Sequence, residues 1–243
     1  MVAETLKTDI TSEDFHELAA TRHSTYNFLT SIYVQPSTDD LASKLREGTL
    51  AAASPSSAMA QQTSKDIEEG FQMLSQYMAD SRGKSVQALA EELAVERTRL
   101  FRGLKRGYGP APPYETIHRD TKGTLGPTAG ISELYEEAGA SLSEELKDRP
   151  DYIGVELDSM RFMSSNEAEA WKRGRFDDAK TMLQLEKRLL KEHLATWIPK
   201  FCDVALEEAK NGFYKAVLKI KKGVVLSETA LIDDLIETAE SIE

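Results

Sequence analysis

Residues 179–197 read Ala179-Lys180-Thr181-Met182-Leu183-Gln184-Leu185-Glu186-Lys187-Arg188-Leu189-Leu190-Lys191-Glu192-His193-Leu194-Ala195-Thr196-Trp197. Ala179, Met182, Leu183, Leu189, Leu190, Leu194 and Trp197 recur at helical spacing and form the strongest amphipathic helix in the chain. The spacing predicts that this helix stops at Pro199, with a further helix over 201–222 carrying Phe213, Tyr214, Val217 and Leu218. Upstream, Ile153, Leu157, Met160 and Met163 line one helix, and Ser164 with Glu167 has the pattern of a capping box opening the next.

The same periodicity fills the first half. Phe15, Leu18, Ala19, Arg22, Tyr26, Leu29 and Tyr33 step at three and four behind Thr11 as N-cap. Thr38 is placed to cap a short helix through Leu45, and Ile67, Phe71, Leu74 and Met78 form another stripe. Val86, Leu89, Ala90, Leu93, Leu100, Phe101 and Leu104 continue the pattern, with one charged slot at Arg97. That arginine either snorkels to the edge or lines a polar groove. Residues 50–62 turn to Ala, Ser and Pro and read as a loop. Together these stripes predict an all-α bundle of about nine helices.

Two stretches interrupt the helical text: Pro112-Pro113-Tyr114-Glu115-Thr116 and Arg149-Pro150-Asp151-Tyr152. Proline fixes φ and removes a donor, so neither is helix interior. The first belongs to an irregular connector over 103–130 with six glycines and four prolines, a length that is often functional. The second marks the expected domain boundary: residues 1–148 form the N-terminal part and 149–243 the C-terminal part. Asp151 reads as N-cap of the helix that follows it.

Composition bounds the function. The chain has 243 residues, 40% hydrophobic and 29% charged, with a net charge of −11. That charge repels nucleic acid and anionic lipid and attracts basic partners. No apolar run is long enough for a membrane span, and residues 1–9, without a basic stretch followed by an apolar one, are not expected to direct export. A single cysteine, Cys202, fits a reducing cytoplasm. The last 16 residues carry six acids and no base and read as an acidic tail that frays.

The search for an active site returns nothing: no catalytic residue, no metal ligands and no cofactor are expected. His16, His23, His118 and His193 lack ligand spacing, and His193 reads as a hydrogen-bonded structural histidine. There is no phosphate-binding loop, no nucleophile elbow, and Glu156 and Asp158 point to different helix faces. Binding is better supported. Leu100, Phe101, Pro113 and Tyr114 supply an apolar wall, and Glu115 and Asp151 are carboxylates suited to guanidinium groups.

Four segments carry a family resemblance: Arg99-Leu100-Phe101-Arg102-Gly103, Pro112 to Thr116, Pro150-Asp151-Tyr152 followed by Glu156-Leu157, and His193 to Phe201 followed by Phe213-Tyr214. Between about Phe15 and Leu218 the chain resembles the TorD/DmsD/NarJ family of cytoplasmic chaperones for molybdenum-cofactor redox enzymes. The resemblance implies a larger N-terminal and a smaller C-terminal helical part joined at a hinge. It implies binding of the twin-arginine signal peptide, or another N-terminal stretch, of a molybdopterin oxidoreductase catalytic subunit, held until cofactor insertion. The family's peptide-contact region maps onto Leu100, Phe101, Pro113, Tyr114, Asp151 and Tyr152, and the charge argument adds Glu115 to the expected peptide-binding set. Two positions depart from the family pattern: Tyr152 stands where histidine often follows the aspartate, and Arg97 where an aromatic residue is common. The alternatives are an assembly factor that grips a folded subunit surface without reading a signal peptide, or a nucleotide hydrolase. Oligomeric state stays open between a monomer and a domain-swapped dimer.

Overall fold

The computed structural model describes residues 10–34, 39–50, 64–103, 109–119, 126–140 and 149–242. Their helices are α1 (Ser12–Val34), α2 (Asp39–Glu47), α3 (Lys65–Ser81), α4 (Val86–Phe101), α5 (Glu115–His118), α6 (Gly126–Glu137), α7 (Ile153–Lys172), α8 (Phe176–Arg188), α9 (Ala195–Glu208) and α10 (Gly212–Ala239). A π-helical stretch, Leu189–Leu194, joins α8 to α9. Among the described residues the fold is all-α, and the extended pairing is one isolated antiparallel bridge, Tyr114 to Tyr152. The expected loop at 51–62, the Thr38 cap and most of the stretch before Arg149 lie outside the described residues.

α1 lies along α7, α3 along α10, α8 against α7 and α9 against α10. Helices from either side of residue 148 therefore share one apolar core, which runs from Phe15 to Ala239. Phe15 stacks on Trp171 at 4.7 Å, and Tyr33, Phe101, Phe201 and Tyr214 form a chain of ring contacts through its centre.

The helix ends show how side chains set these boundaries. At the start of α1, the Thr11 hydroxyl accepts the Asp14 amide (3.3 Å) while the Asp14 carboxylate accepts the Thr11 amide (2.8 Å), a reciprocal cap. At its other end Arg97 supplies the cap. Its Nε donates to Ile32 O (3.1 Å) and its Nη2 to Tyr33 O, placing a cation on the negative end of the helix dipole. Arg97 thus neither snorkels nor lines a groove; it is buried in service of α1.

Four other local expectations are corrected. Ser164 does not open a helix: its hydroxyl donates to Met160 O (2.7 Å) inside a continuous α7, and Glu167 turns inward to Arg22. The helix of residues 179–197 does not end at Pro199, which sits inside α9 and forgoes one backbone hydrogen bond there. The next break comes at 209–211 instead, where Asn211 caps α10 through the Phe213 amide (2.9 Å). The acidic end is not frayed. α10 continues to Ala239, and Glu228 is buried against Arg22 and Tyr26.

That last contact belongs to the main polar feature of the interior. Arg22 Nη1 lies 2.8 Å from Glu167, its Nε lies 3.3 Å from Glu228, and its Nη2 donates to Glu186. Tyr26 donates to Glu228 (2.9 Å) and Trp171 to Glu167 (3.0 Å). Burial pushes the carboxyls of Glu167 and Glu186 above the ordinary range. Burial also opposes the charge on Arg22, but Glu186, Glu228 and Glu167 outweigh it and hold its pKa high. Removing the guanidinium would leave carboxylates buried without a cation. Arg22→Ala is therefore expected to lose about 3–5 kcal/mol of stability, read from the urea midpoint.

Lys221 is also buried, beneath the rings of Tyr33 and Phe201 (4.6 and 4.8 Å to the centroids) and bonded to the Tyr33 hydroxyl. Burial depresses its pKa to about 8. Below pH 8 the charge sits inside the fold at a cost, and between 8 and the unfolded value of 10.5 that cost disappears. Wild-type stability should therefore rise across that window. Lys221→Met should stabilise the protein at pH 7 by up to about 3 kcal/mol. That gain should fade as denaturation is repeated from pH 8 to 10.5.

Candidate functional site

The two proline-bearing connectors meet. The Glu115 amide donates to Asp151 O (2.9 Å) and the Ile153 amide to Pro113 O (3.0 Å), which sets Tyr114 opposite Tyr152 as the close pair of an antiparallel bridge. Alternation along an extended strand then sorts the side chains. Tyr114 and Tyr152 share the outer face, half-buried, with ring centroids 5.3 Å apart. Pro113, Glu115, Asp151 and Ile153 all turn inward and are buried.

This sorting locates each residue expected to bind. Leu100 and Phe101 are core residues, with Phe101 packed on Tyr33 at 4.7 Å, so they back the face and do not form its surface. Glu115 is fully buried: its Oε1 accepts from Arg119 (2.7 Å) and its Oε2 lies 2.8 Å from His193 Nδ1. Asp151 is fully buried too and does not cap its own helix. Tyr152 holds the N-cap position of α7, with no side-chain capping bond there. The Asp151 Oδ2 instead accepts from the Thr116 amide (3.2 Å) and hydroxyl (2.6 Å), tying α5 to α7, and from Arg149 Nη2 (3.0 Å). Neither carboxylate stands open at the surface, as their residue types and positions alone had suggested. Each is turned inward and already faces a cation of the chain itself.

Beside these two lies a third buried acid. Glu156 accepts from Trp197 Nε1 (3.1 Å), and burial, reinforced by Glu115, pushes its carboxyl well above the usual range. His118 stacks on Trp197 at 5.6 Å with its Nε2 3.1 Å from Pro112 O, and burial lowers its pKa. Among the described residues no group of three or more His, Cys, Asp or Glu is placed to hold a metal ion. Cys202 is buried, and burial raises its thiol. What the arrangement offers is an aromatic edge above buried acids.

Sequence pattern alone did not single out Arg149, Thr116 or Arg119. For Arg149 a signal existed: it stands two residues before Asp151, across one proline. For Arg119 one existed as well, since it stands four residues after Glu115, the spacing of a local helix pair. The contact of Thr116 with Asp151 depends on the connector crossing, which no local pattern encodes.

The bridge also depends on close backbone approach at Gly154. A Cβ there would meet the Tyr152 ring at 2.7 Å and Tyr33 Cβ at 3.1 Å. Gly154→Ala should displace the Tyr152 ring and cost about 1–3 kcal/mol in urea denaturation through overpacking.

Comparison with known proteins identifies the family. The family model described as nitrate reductase delta subunit matches residues 60–203, more than half of the chain and both connectors. The chaperone protein TorD of Vibrio cholerae serotype O1 is 25% identical over 150 residues, 60% of this chain and 64% of the relative. TorD of Vibrio parahaemolyticus is 29% identical over 133 residues, 53% and 59% of the two chains. The selenate reductase assembly chaperone protein of Thauera selenatis is 32% identical over 88 residues, covering 36% and 45%. The chain thus spans just under two thirds of the length of the Vibrio cholerae relative. No solved structure matches it. On the family match, the chain belongs to the nitrate reductase delta subunit family, the TorD-type group of redox-enzyme maturation chaperones.

Proposed function

We propose that this protein is a cytoplasmic chaperone for a molybdopterin oxidoreductase. It binds the N-terminal segment of the catalytic subunit, a twin-arginine signal peptide in exported clients. It holds that segment until the cofactor is inserted and so delays export. The relatives' names, TorD chaperone and selenate reductase assembly chaperone, support the general role. The observation that carries the finer reading is the Tyr114–Tyr152 edge above the buried carboxylates of Glu115 and Asp151.

The division of labour differs from one in which both carboxylates contact the client directly. Tyr114 and Tyr152 supply aromatic contact area with few rotatable bonds to order, the composition favoured at binding hot spots. Asp151 supplies the charge from behind them. Glu115, clamped between Arg119 and His193, fixes α5 and hence the strand that carries Tyr114. Leu100 and Phe101 stiffen the backing. The net charge of −11 draws a basic segment toward the surface before any contact forms. No helix among the described residues is long and apolar enough to cross a membrane.

A fluorescently labelled synthetic peptide with an Arg-Arg pair before an apolar run tests the reading by anisotropy. Tyr114→Ala is expected to weaken binding by about 2 kcal/mol or more, with the thermal midpoint little changed. A Lys-Lys version of the peptide should bind more weakly, because an ammonium cannot reproduce the planar guanidinium contact. Equal affinity for both peptides, unaffected by Tyr114→Ala, would place the client contact elsewhere.

A further inference from the structure

An arginine already sits on the candidate face. Arg149 Nη2 is 3.0 Å from Asp151 Oδ2 and 2.8 Å from the Thr116 hydroxyl, and its guanidinium carbon lies over the Tyr114 ring, 5.0 Å from the centroid. These are an acid, a hydroxyl and an aromatic plane, the set of groups that recognises a guanidinium. The pair is uneven: the side chain of Asp151 is 0% exposed and that of Arg149 is 54% exposed. The acid is built into the fold, while the base reaches in from solvent.

We infer that Arg149 is the specificity-determining residue of this face: it occupies, within the chain, the seat that a client arginine takes, so a client binds by displacing it. The inference rests on the peptide-binding reading above, and three observations support it. First, the seat outlasts its occupant. Asp151 is held by the Thr116 amide and hydroxyl and by the bridge hydrogen bonds, none of which involves the Arg149 guanidinium. Second, Asp151 Oδ1 is buried without a hydrogen-bond partner, so the carboxylate is bound through one oxygen only. A guanidinium seated through both nitrogens would satisfy it better than Arg149 does. Third, an ion pair with one largely exposed partner is among the weaker kinds, so Arg149 is held yet replaceable.

The consequence is a threshold. If the seat is filled by Arg149 roughly nine-tenths of the time, the apparent affinity for any competing arginine falls about tenfold. Lysine or lone weak cations would fail to displace it. A segment with an arginine and flanking apolar contacts on Tyr114 and Tyr152 would succeed. Arg149 thereby screens ligands by chemistry while sparing Asp151 an unpaired buried charge in the empty state.

Two probes test this with wild type, Arg149→Ala and Arg149→Gln: the Arg-Arg peptide, and Nα-acetyl-arginine N-methylamide as a bare arginine. Arg149→Ala and Arg149→Gln should bind the peptide about tenfold more tightly than wild type. The gain should vanish when Asp151→Asn is added. The small probe should shift the Thr116 amide resonance in either variant and not in wild type at the same concentration. Unchanged or weaker peptide binding by both folded variants, while wild type binds, would overturn the inference. So would a Thr116 resonance that ignores the small probe in both variants. Were the small probe to shift Thr116 in the variants while no form bound the peptide, the seat would stand and the signal-peptide reading would fall.

Discussion

One guanidinium at the centre of three carboxylates fixes how the major helices register. Arg22 comes from α1, Glu167 from α7, Glu186 from α8 and Glu228 from α10, so four helices converge on a single side chain. Apolar packing alone tolerates sliding, because a ridge of leucines fits a groove at more than one offset. A planar group with five directed donors does not. The excess of acid over base is absorbed by burial itself, which raises the carboxyls of Glu167 and Glu186 and favours their protonated forms. The cluster holds the α1–α7 and α8–α10 layers at one offset, and the rest of the core follows from that.

The effect reaches the candidate face through α1. From Arg22 to Tyr33 is eleven residues, about 16 Å of helix. At the far end Tyr33 gathers several elements. Its carbonyl accepts from Arg97 of α4 and, at 3.4 Å, from the Tyr152 hydroxyl, while its own hydroxyl meets Lys221 of α10. Its ring packs on Phe101 and, edge-on, on Tyr152. One of the two outer tyrosines is therefore anchored to the helix that the Arg22 cluster positions. Glu96 completes the frame on the other side. Burial opposes its ionisation, yet Arg99 and the amides of Lys210 and Asn211 outweigh that and keep it charged, tying α4 to the start of α10.

How much of this was legible in the sequence follows the range of the forces involved. Helix periodicity is local, and Phe15 to Tyr33, Ile67 to Met78 and Val86 to Phe101 all form the helices their spacing predicts. Proline constraints are local too, and both connectors break the helical text where Pro112, Pro113 and Pro150 stand. What local pattern could not give is the partner of each charge. Glu167 completes a capping-box pattern with Ser164, and only the presence of Arg22, 145 residues away, turns it into a core group. Asp151 has the right identity and position for an N-cap; Thr116, 35 residues away, claims it instead. The orientation of the two carboxylates was within reach, since strict alternation in Pro113-Tyr114-Glu115 and Asp151-Tyr152-Ile153 puts the tyrosines together on one side. Reading both triplets as extended and paired was the missing step.

Burying those carboxylates changes what kind of binding site this is. An acid on an open surface attracts any cation, is screened by salt and holds none of them well. An acid with no exposure, oriented by a backbone amide and a hydroxyl, acts only on a group that can reach in to it, as Arg149 does from over the Tyr114 ring. The free protein cannot leave such an acid bare without the cost of an unpaired buried charge. Glu115 meets that requirement with buried His193 and with Arg119, a part-buried neighbour four residues along the chain, and so serves as a fixed part of the frame. Asp151 meets it with an arginine whose side chain is largely in solvent. Of the two acids that the connectors bring together, Asp151 is therefore the one whose partner can be exchanged without dismantling the structure around it.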